Sequence, residues 1–268
     1  MDLLTVDSLP AIATLCRRSV WASAGEEELG AALFPGDQDV VVIGDPGAGI
    51  VAVVREPQQG WIRLLVVHPN HRRHGVGRAL LAAGEAALAG VETVAAGGDP
   101  SRALFPGVTV TDLALCCTLE ACSYQRSGTV VNMEFDLKVP LAPDVPGWAL
   151  ADVDVLRALG GLCLDVAPAA AAELLRALAV GSLLVVRDGK SLAGACGLDV
   201  NRGGTIGPLV ARHEEAVRRL LAGAVRVLRE RGHPRAEWAA VSALRPAADL
   251  GAKVGRLSHI YTKDLGSS

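Results

Sequence analysis

The sequence predicts an α+β chain built as two tandem domains of one fold, each a mixed, mostly antiparallel sheet flanked by helices. Three observations lead there. The order of strand-like and helix-like stretches in the first half recurs in the second, as a duplication would leave it. Near the middle, "KVPLAPDVPGW" (Lys138 to Trp148) sets three prolines and a glycine after an apolar run. Residues lacking an amide donor or a side chain mark a linker. Finally, "GVGRALLAA" from Gly75 overlays "EAVRRLLAG" from Glu215, with Arg78 on Arg218 and Leu80–Leu81 on Leu220–Leu221. The expected division is 1–138, a linker over 139–147, and 148–268.

In the first half, "DLLTV" reads as a strand and "SLPAIATLCRRSVW" as a helix with a Ser cap. "DVVVIG" and "GIVAVVRE" are Val- and Ile-rich strands joined by the turn-forming "DPGA", and "GWIRLLVV" is another strand. From Gly75 to Ala89 the apolar residues recur at helical spacing. "VETVAAG" returns to strand, "TDLALCCTLEAC" is a helix with a Thr cap, and "GTVVNMEFDL" is a final strand. Antiparallel strands followed by a strand–helix–strand crossover give a mixed sheet. The second half opens with helices around Val153–Leu164 and Ala169–Leu178. Then come the hairpin "SLLVVRDG"/"SLAGACGLDV", the strand "GTIGPLV" and a long helix from Glu214 to Arg231. "RAEWAAV", a short helix near Leu244–Lys253 and "LSHIYTKDL" complete it.

Half of the 268 residues are hydrophobic and 21% are charged, enough to bury a core and too apolar for disorder. With Trp 4, Tyr 2 and Phe 3, the interior falls to Leu, Val and Ala. A net charge of −3 argues against a general nucleic-acid binder. Lysine stands only at Lys138, Lys190, Lys253 and Lys263, which reads as the codon bias of a GC-rich genome. "MDLLTVDSLPAIATLC" lacks the basic segment of a signal peptide, and "LLAAGEAALAG" is interrupted by Glu85. A cytoplasmic protein away from membranes is expected. Cys16, Cys116, Cys117, Cys122, Cys163 and Cys196 form no CxxC pair and read as small buried apolar residues.

The chemistry concentrates in "VVHPNHRRHGVGRALL", Val66 to Leu81. An apolar strand runs into a basic, glycine-bearing turn and then a helix. The first amides of a helix are unpaired and carry partial positive charge, so they favour anions. Gly75 and Gly77 allow close backbone approach and positive φ. Arg72, Arg73 and Arg78 add guanidinium donors for phosphate oxygens. Together these make a pyrophosphate cradle. The rival readings are weaker. His68, His71 and His74 lie in a proline-bearing loop with no acid or cysteine to complete a zinc site. The spacing matches neither GxxxxGK[ST] nor GxGxxG. Nucleic-acid contact lacks aromatic support.

"RRHGVG" resembles the R/Q-x-x-G-x-G/A motif of the GNAT (Gcn5-related N-acetyltransferase) superfamily, and "LLVVHPNHRRHGVGRALL" is similar to its whole cofactor-binding segment. The resemblance covers Asp2 to Leu137; the second half resembles the fold by order of elements, as in tandem-GNAT proteins. It implies two tandem GNAT-like domains, with acetyl-CoA (coenzyme A) as co-substrate and no metal. It places Leu65, Val66 and Val67 beside the pantetheine arm, held as an added strand would be. The amides from Arg73 through His74, Gly75, Val76 and Gly77 to Arg78 would hold the pyrophosphate, with Arg72 shaping the loop. In the second half Glu215 and Val217 stand where Gly75 and Gly77 do, and Arg212 overlays Arg72. A carboxylate facing a diphosphate and a β-branched residue in a glycine position oppose binding. The C-terminal copy is therefore expected to be degenerate.

The family's amine attacks the thioester directly, which asks for an oxyanion donor, a base and often an acid. The Val67 amide or a neighbour could serve the oxyanion. The tyrosine acid that many members carry falls at Leu119 here, and the glutamate base of others falls near Trp61. Asp99 and Glu120 are the remaining catalytic candidates. Cys116 and Cys117 have no activating base for an acyl-enzyme. "ALFPGV" (Ala103 to Val108) exposes Phe105 near the acyl end, as a pocket wall or a packed loop. The expected activity is acetyl-CoA-dependent N-acetylation of a small-molecule amine. The alternatives are a non-catalytic acyl-CoA-binding regulatory protein and a protein N-acetyltransferase. A monomer is favoured over a homodimer.

Overall fold

The computed structural model describes residues 1–19, 25–99, 104, 106–139, 145–240 and 244–266. The chain divides into two compact units, Met1–Thr129 with Ser258–Ser268, and Val130–Leu257. These units differ in their bounds from the expected division at 139–147. The boundaries fall inside two long strands, and the end of the chain belongs to the first unit. The physical reason is pairing. The free side of the fifth strand takes its antiparallel partner from residues 261–264, so "LSHIYTKDL" is the strand expected but completes the other sheet.

The first unit runs β1 (Asp2–Leu3), α1 (Leu9–Arg17), α2 (Glu26–Leu33), β2 (Val40–Asp45), β3 (Gly49–Arg55), β4 (Gln59–Val67), α3 (Val76–Ala87), β5 (Thr93–Ala96), β6 (Val108–Thr109), α4 (Leu113–Ala121) and the start of β7 (Gln125–Asp136). Its sheet has the order β1-β2-β3-β4-β5, followed by the Ser258–Asp264 part of the chain's last strand. The pairs β2–β3 and β3–β4 are antiparallel, and β4–β5 is the parallel pair that α3 crosses over. β3 reads GIVAVVR, almost wholly buried, because helices cover both of its faces. Ile12, Leu15, Leu29 and Leu33 of α1 and α2 pack on Ile50, Leu64 and Val66. Leu80 and Leu81 of α3 pack on Val51, Val53, Ile62 and Leu65 from the opposite side.

The second unit holds the rest of β7, then β8 (Trp148–Leu150), α5 (Leu156–Val166), α6 (Ala171–Ala179), β9 (Leu183–Asp188), β10 (Ser191–Leu198), β11 (Thr205–Ala211), α7 (Glu214–Glu230), β12 (Arg235–Ala240), α8 (Leu244–Asp249) and the start of β13 (Lys253–Asp264). Its order is β7-β12-β11-β10-β9-β8, with β11 and β12 parallel around α7. Leu220, Leu221 and Leu228 of α7 pack on Leu184, Val186 and Leu198. The duplicated element order is therefore present, in an α/β sandwich of mixed sheets.

Some local expectations change. α2 was not foreseen, although EEELGAAL carries three acids in its first turn and Gly25 N donates to Glu28 Oε2 at 2.9 Å. The cap of α4 is Asp112, whose Oδ1 accepts from Leu115 N at 3.2 Å, not a threonine. Ser8 precedes α1 without a side-chain cap bond, because it already has helical dihedrals. Among the described residues no helix is long and apolar enough to cross a membrane.

Candidate functional site

β4 pairs with β5 only from Gln59↔Thr93 to Ile62↔Ala96. Beyond Ile62 the two strands part, so Arg63 to Val67 present a strand edge without a β5 partner. A bulge sits at the same point: Val53 opposes Ile62 and Ala52 opposes Leu64, which leaves Arg63 out of the β3 ladder. β5 turns away through Gly97 and Gly98, at φ +89° and +74°, backbone angles that glycine adopts at little cost. Parted strands and an open edge are what an extended ligand arm needs.

The turn after β4 is fixed from within. Arg72 Nε donates to Val67 O at 3.2 Å, and His68 Nδ1 accepts from Asn70 N at 3.3 Å. Arg73 (φ +65°) and Gly75 (φ +81°) carry the chain through left-handed conformations into α3. Gly75 is the N-cap, with no side-chain cap bond and no acid in the first turn. Among the described residues no side chain caps the opening amides of α3. Gly77 departs from expectation: it lies inside α3 without a positive φ. Its contribution is space. A Cβ there would reach 3.5 Å from Thr118 Cγ2 and 3.7 Å from Val67 Cγ2.

A cavity of about 720 Å³ joins the helix end to the open edge. Leu65, Val66, Val67, Arg72, Arg73, Gly75, Val76, Gly77 and Arg78 line it, so nine of the ten residues singled out from the sequence come together. His74 is exposed and does not line it. The opposite wall, which the sequence did not reveal, is the start of α4: Asp112, Leu115, Cys117 and Thr118. Cys117 is exposed, unlike the buried Cys16, Cys116, Cys163 and Cys196. Burial pushes the Cys16 thiol up to about 11, as expected of an inert core cysteine.

Leu65 and Leu115 also line a second, inner cavity of about 30 Å³ in the β4–β5 fork. Asp99 lines it, with its Oδ2 2.7 Å from Arg63 Nε, and both side chains are buried. Arg63 Nη1 also donates to Ala32 O at 2.8 Å and Gln38 Oε1 at 3.1 Å. Leu119 is fully buried against the same cavity. Glu120 is outside both linings and accepts from the Tyr261 hydroxyl at 3.2 Å. Trp61 is buried beside Val54 and Ala95. Glu56, which the sequence did not single out, lies near enough to the ion pair to feel it. Burial and the Asp99 charge raise its carboxyl while Arg63 lowers it. Ala103 and Phe105 of the 103–108 stretch lie outside the described residues.

The corresponding corner of the second unit is built differently. His213 caps α7, its Nδ1 accepting from Ala216 N at 3.2 Å, while Nε2 is 2.7 Å from Asp188 Oδ2. Glu214 and Glu215 occupy the first turn, and Glu215 Oε1 accepts from Arg219 Nε at 3.0 Å. Val217 is buried. Arg212 points elsewhere than Arg72 does, with Nε 3.3 Å from Leu192 O and Nη2 2.7 Å from Asp165 Oδ2.

Comparison with known proteins bears on the fold. Residues 36–105 match the family model described as an acetyltransferase (GNAT) domain. No curated protein matches the chain. Several solved structures share the fold over nearly its full length. A GCN5-related glucosamine N-acetyltransferase region of a fungal multi-domain GH3 β-N-acetylglucosaminidase aligns at 16% identity and TM-score 0.77. It covers 98% of this chain, and this chain spans 38% of that one. A GCN5-related N-acetyltransferase from Sphaerobacter thermophilus aligns at 18% identity and TM-score 0.74, covering 98% of this chain and 94% of its own. A tandem GNAT protein from the clavulanic acid biosynthesis pathway aligns at 16% identity and TM-score 0.69, with 99% and 98% covered.

Proposed function

From the match of residues 36–105 to a GNAT acetyltransferase domain, we propose an acetyl-CoA-dependent N-acetyltransferase that modifies a small-molecule amine by direct attack on the thioester. One observation carries the reading: a single cavity runs from the uncapped, acid-free start of α3 to the open edge of β4. In this reading the α3 amides, with Arg72, Arg73 and Arg78, hold the diphosphate. The edge from Leu65 to Val67 takes the pantetheine arm, and its amides stabilise the oxyanion as the amine nitrogen bonds to the carbonyl carbon. The C–S bond then breaks with its electron pair going to sulfur, coenzyme A leaves as the thiolate, and the amine's proton leaves to water through the open cavity.

The residues argue against a dedicated proton donor. Leu119 occupies the acid's place, Asp99 is held by Arg63, and Glu120 lies outside the cavities. That observation favours one second reading, an acyl-CoA-binding protein without turnover. The second unit is proposed to hold no donor site, because His213 and two glutamates fill the start of α7.

Calorimetric titration of acetyl-CoA into wild type, Gly77→Val and Val217→Gly tests both parts. The expected outcome is a single site, abolished by Gly77→Val and unchanged by Val217→Gly. Binding that survives Gly77→Val sinks the cradle assignment. Release of free thiol with a panel of small amines separates the enzyme from the silent binder.

A further inference from the structure

We propose that the Arg63–Asp99 ion pair is a cross-brace that fixes the width of the β4–β5 fork, so that the inner cavity admits an acetyl group and rejects longer acyl chains. The inference rests on the donor reading above and makes Arg63 and Asp99 positioning residues. Arg63 is where β4 leaves register with both neighbours, at the β3 bulge and one residue past the last β5 pair. From there on no backbone ladder joins the two prongs among the described residues. The side chains do: Arg63 Nε and Asp99 Oδ2 stand 2.7 Å apart, on the strand and on the segment that leaves β5. Gly98 N donates to Pro106 O at 3.0 Å, which directs that segment so that Asp99 faces Arg63.

Such a link resists both widening and narrowing. The guanidinium is a rigid planar fork, here also anchored on Ala32 O and Gln38 Oε1. Arg63 has no exposed side-chain surface and Asp99 only 4%. Stretching the pair would leave two buried charges uncompensated, which is costly. The braced space is small. About 30 Å³ accommodates two or three water-sized groups at ~10–15 Å³ each, the size of an acetyl end. Leu65, Leu104 and Leu119 are buried apolar residues of its lining, so added methylenes would press against packed side chains.

Equilibrium binding of acetyl-CoA, hexanoyl-CoA and adenosine 3′,5′-bisphosphate tests the brace. It is measured on wild type, on Arg63→Met/Asp99→Ala and on Asp99→Asn. The bisphosphate probes the phosphate cradle without the acyl end. Wild type is expected to prefer acetyl-CoA over hexanoyl-CoA by at least about tenfold. The double variant, which removes both charges together, should bring that ratio to about threefold or less while bisphosphate affinity stays the same. Asp99→Asn keeps an oxygen acceptor for Arg63 and a near-identical shape, so it remains informative if the double variant does not fold. It should shift the ratio in the same direction by a smaller factor. Wild type that takes hexanoyl-CoA equally well, or an unchanged ratio in folded variants, overturns the brace. Wild type that binds neither acetyl-CoA nor the bisphosphate overturns the donor reading itself, a distinct result.

Discussion

At the scale of the residue, the two glycines of "RRHGVG" show what a sequence can and cannot disclose. Both are visible as glycines at the start of a helix, but their reasons differ. At Gly75 a Cβ would meet nothing within 4 Å, so only its φ of +81° opposes a side chain. Gly75→Ala should therefore cost ~1–2 kcal/mol, read as a shift of the urea midpoint. A much larger loss would mean packing that the structure does not contain. At Gly77 a Cβ would make ordinary contacts with Thr118 and Val67, so its proposed role is to leave ligand space, which no residue pattern states. The tyrosines give a second residue-scale prediction. Burial raises the Tyr124 and Tyr261 hydroxyls, and for Tyr261, helped by the Cys116 thiol, to about 12. A raised value means the fold favours the neutral phenol. The stability it contributes is full below the ordinary value near 10 and is lost as pH climbs towards 12. Phenolate absorbance should stay near its folded baseline at about pH 10.5 and rise only at higher pH or on unfolding. Ordinary titration near pH 10 in the folded protein would contradict the burial of both rings.

At the scale of the element, the decisive contrast is between two helix starts. α3 begins after an uncapped glycine, whereas α7 begins with a histidine cap and two acids. The glutamate and valine of the second copy, proposed to oppose binding, are legible in the sequence. The cap is not: His213 Nδ1 accepts from Ala216 N while its Nε2 meets Asp188 of β9, a partner that local pattern does not reveal. His213→Ala should cost ~1 kcal/mol, the usual worth of a side-chain cap, in a denaturant titration. It should not create a second acetyl-CoA site, since both glutamates and Val217 remain. A new site by calorimetry would show that the cap alone had been the barrier. Strands were the easiest elements to read, because β2, β3 and β4 are continuous Val-, Ile- and Leu-rich runs bounded by turns. Residue pattern discloses neither α2 nor the cavity wall at the start of α4. Their roles lie in what they face, and Arg63 likewise gains meaning only from Asp99, 36 residues on.

At the scale of the whole molecule, the sequence carries the repeat but not the membership of its last strand. Local pattern identifies "LSHIYTKDL" as β-forming, yet which sheet it joins depends on a vacant edge more than 160 residues earlier, beyond the reach of periodicity. The consequence can be tested by truncation. Residues 258–266 give the first unit the fully buried Tyr261, the pairs Tyr261↔Ala96 to Asp264↔Thr93, and the Lys263–Glu85 contact at 2.8 Å. Removing them strips a core strand, a loss comparable with the whole ~5–15 kcal/mol that stabilises an ordinary domain. A chain ending at Leu257 should therefore lose acetyl-CoA binding and the near-ultraviolet circular dichroism of the first unit, although the deletion lies far in sequence from the cradle. For the same reason the isolated fragment 1–138 should stay largely unfolded, and a peptide spanning 253–266 added in trans should restore structure to it. A fragment 1–138 that folds and binds the cofactor unaided would place the functional boundary back at the proline-rich linker and make the returning strand an accessory rather than part of the core.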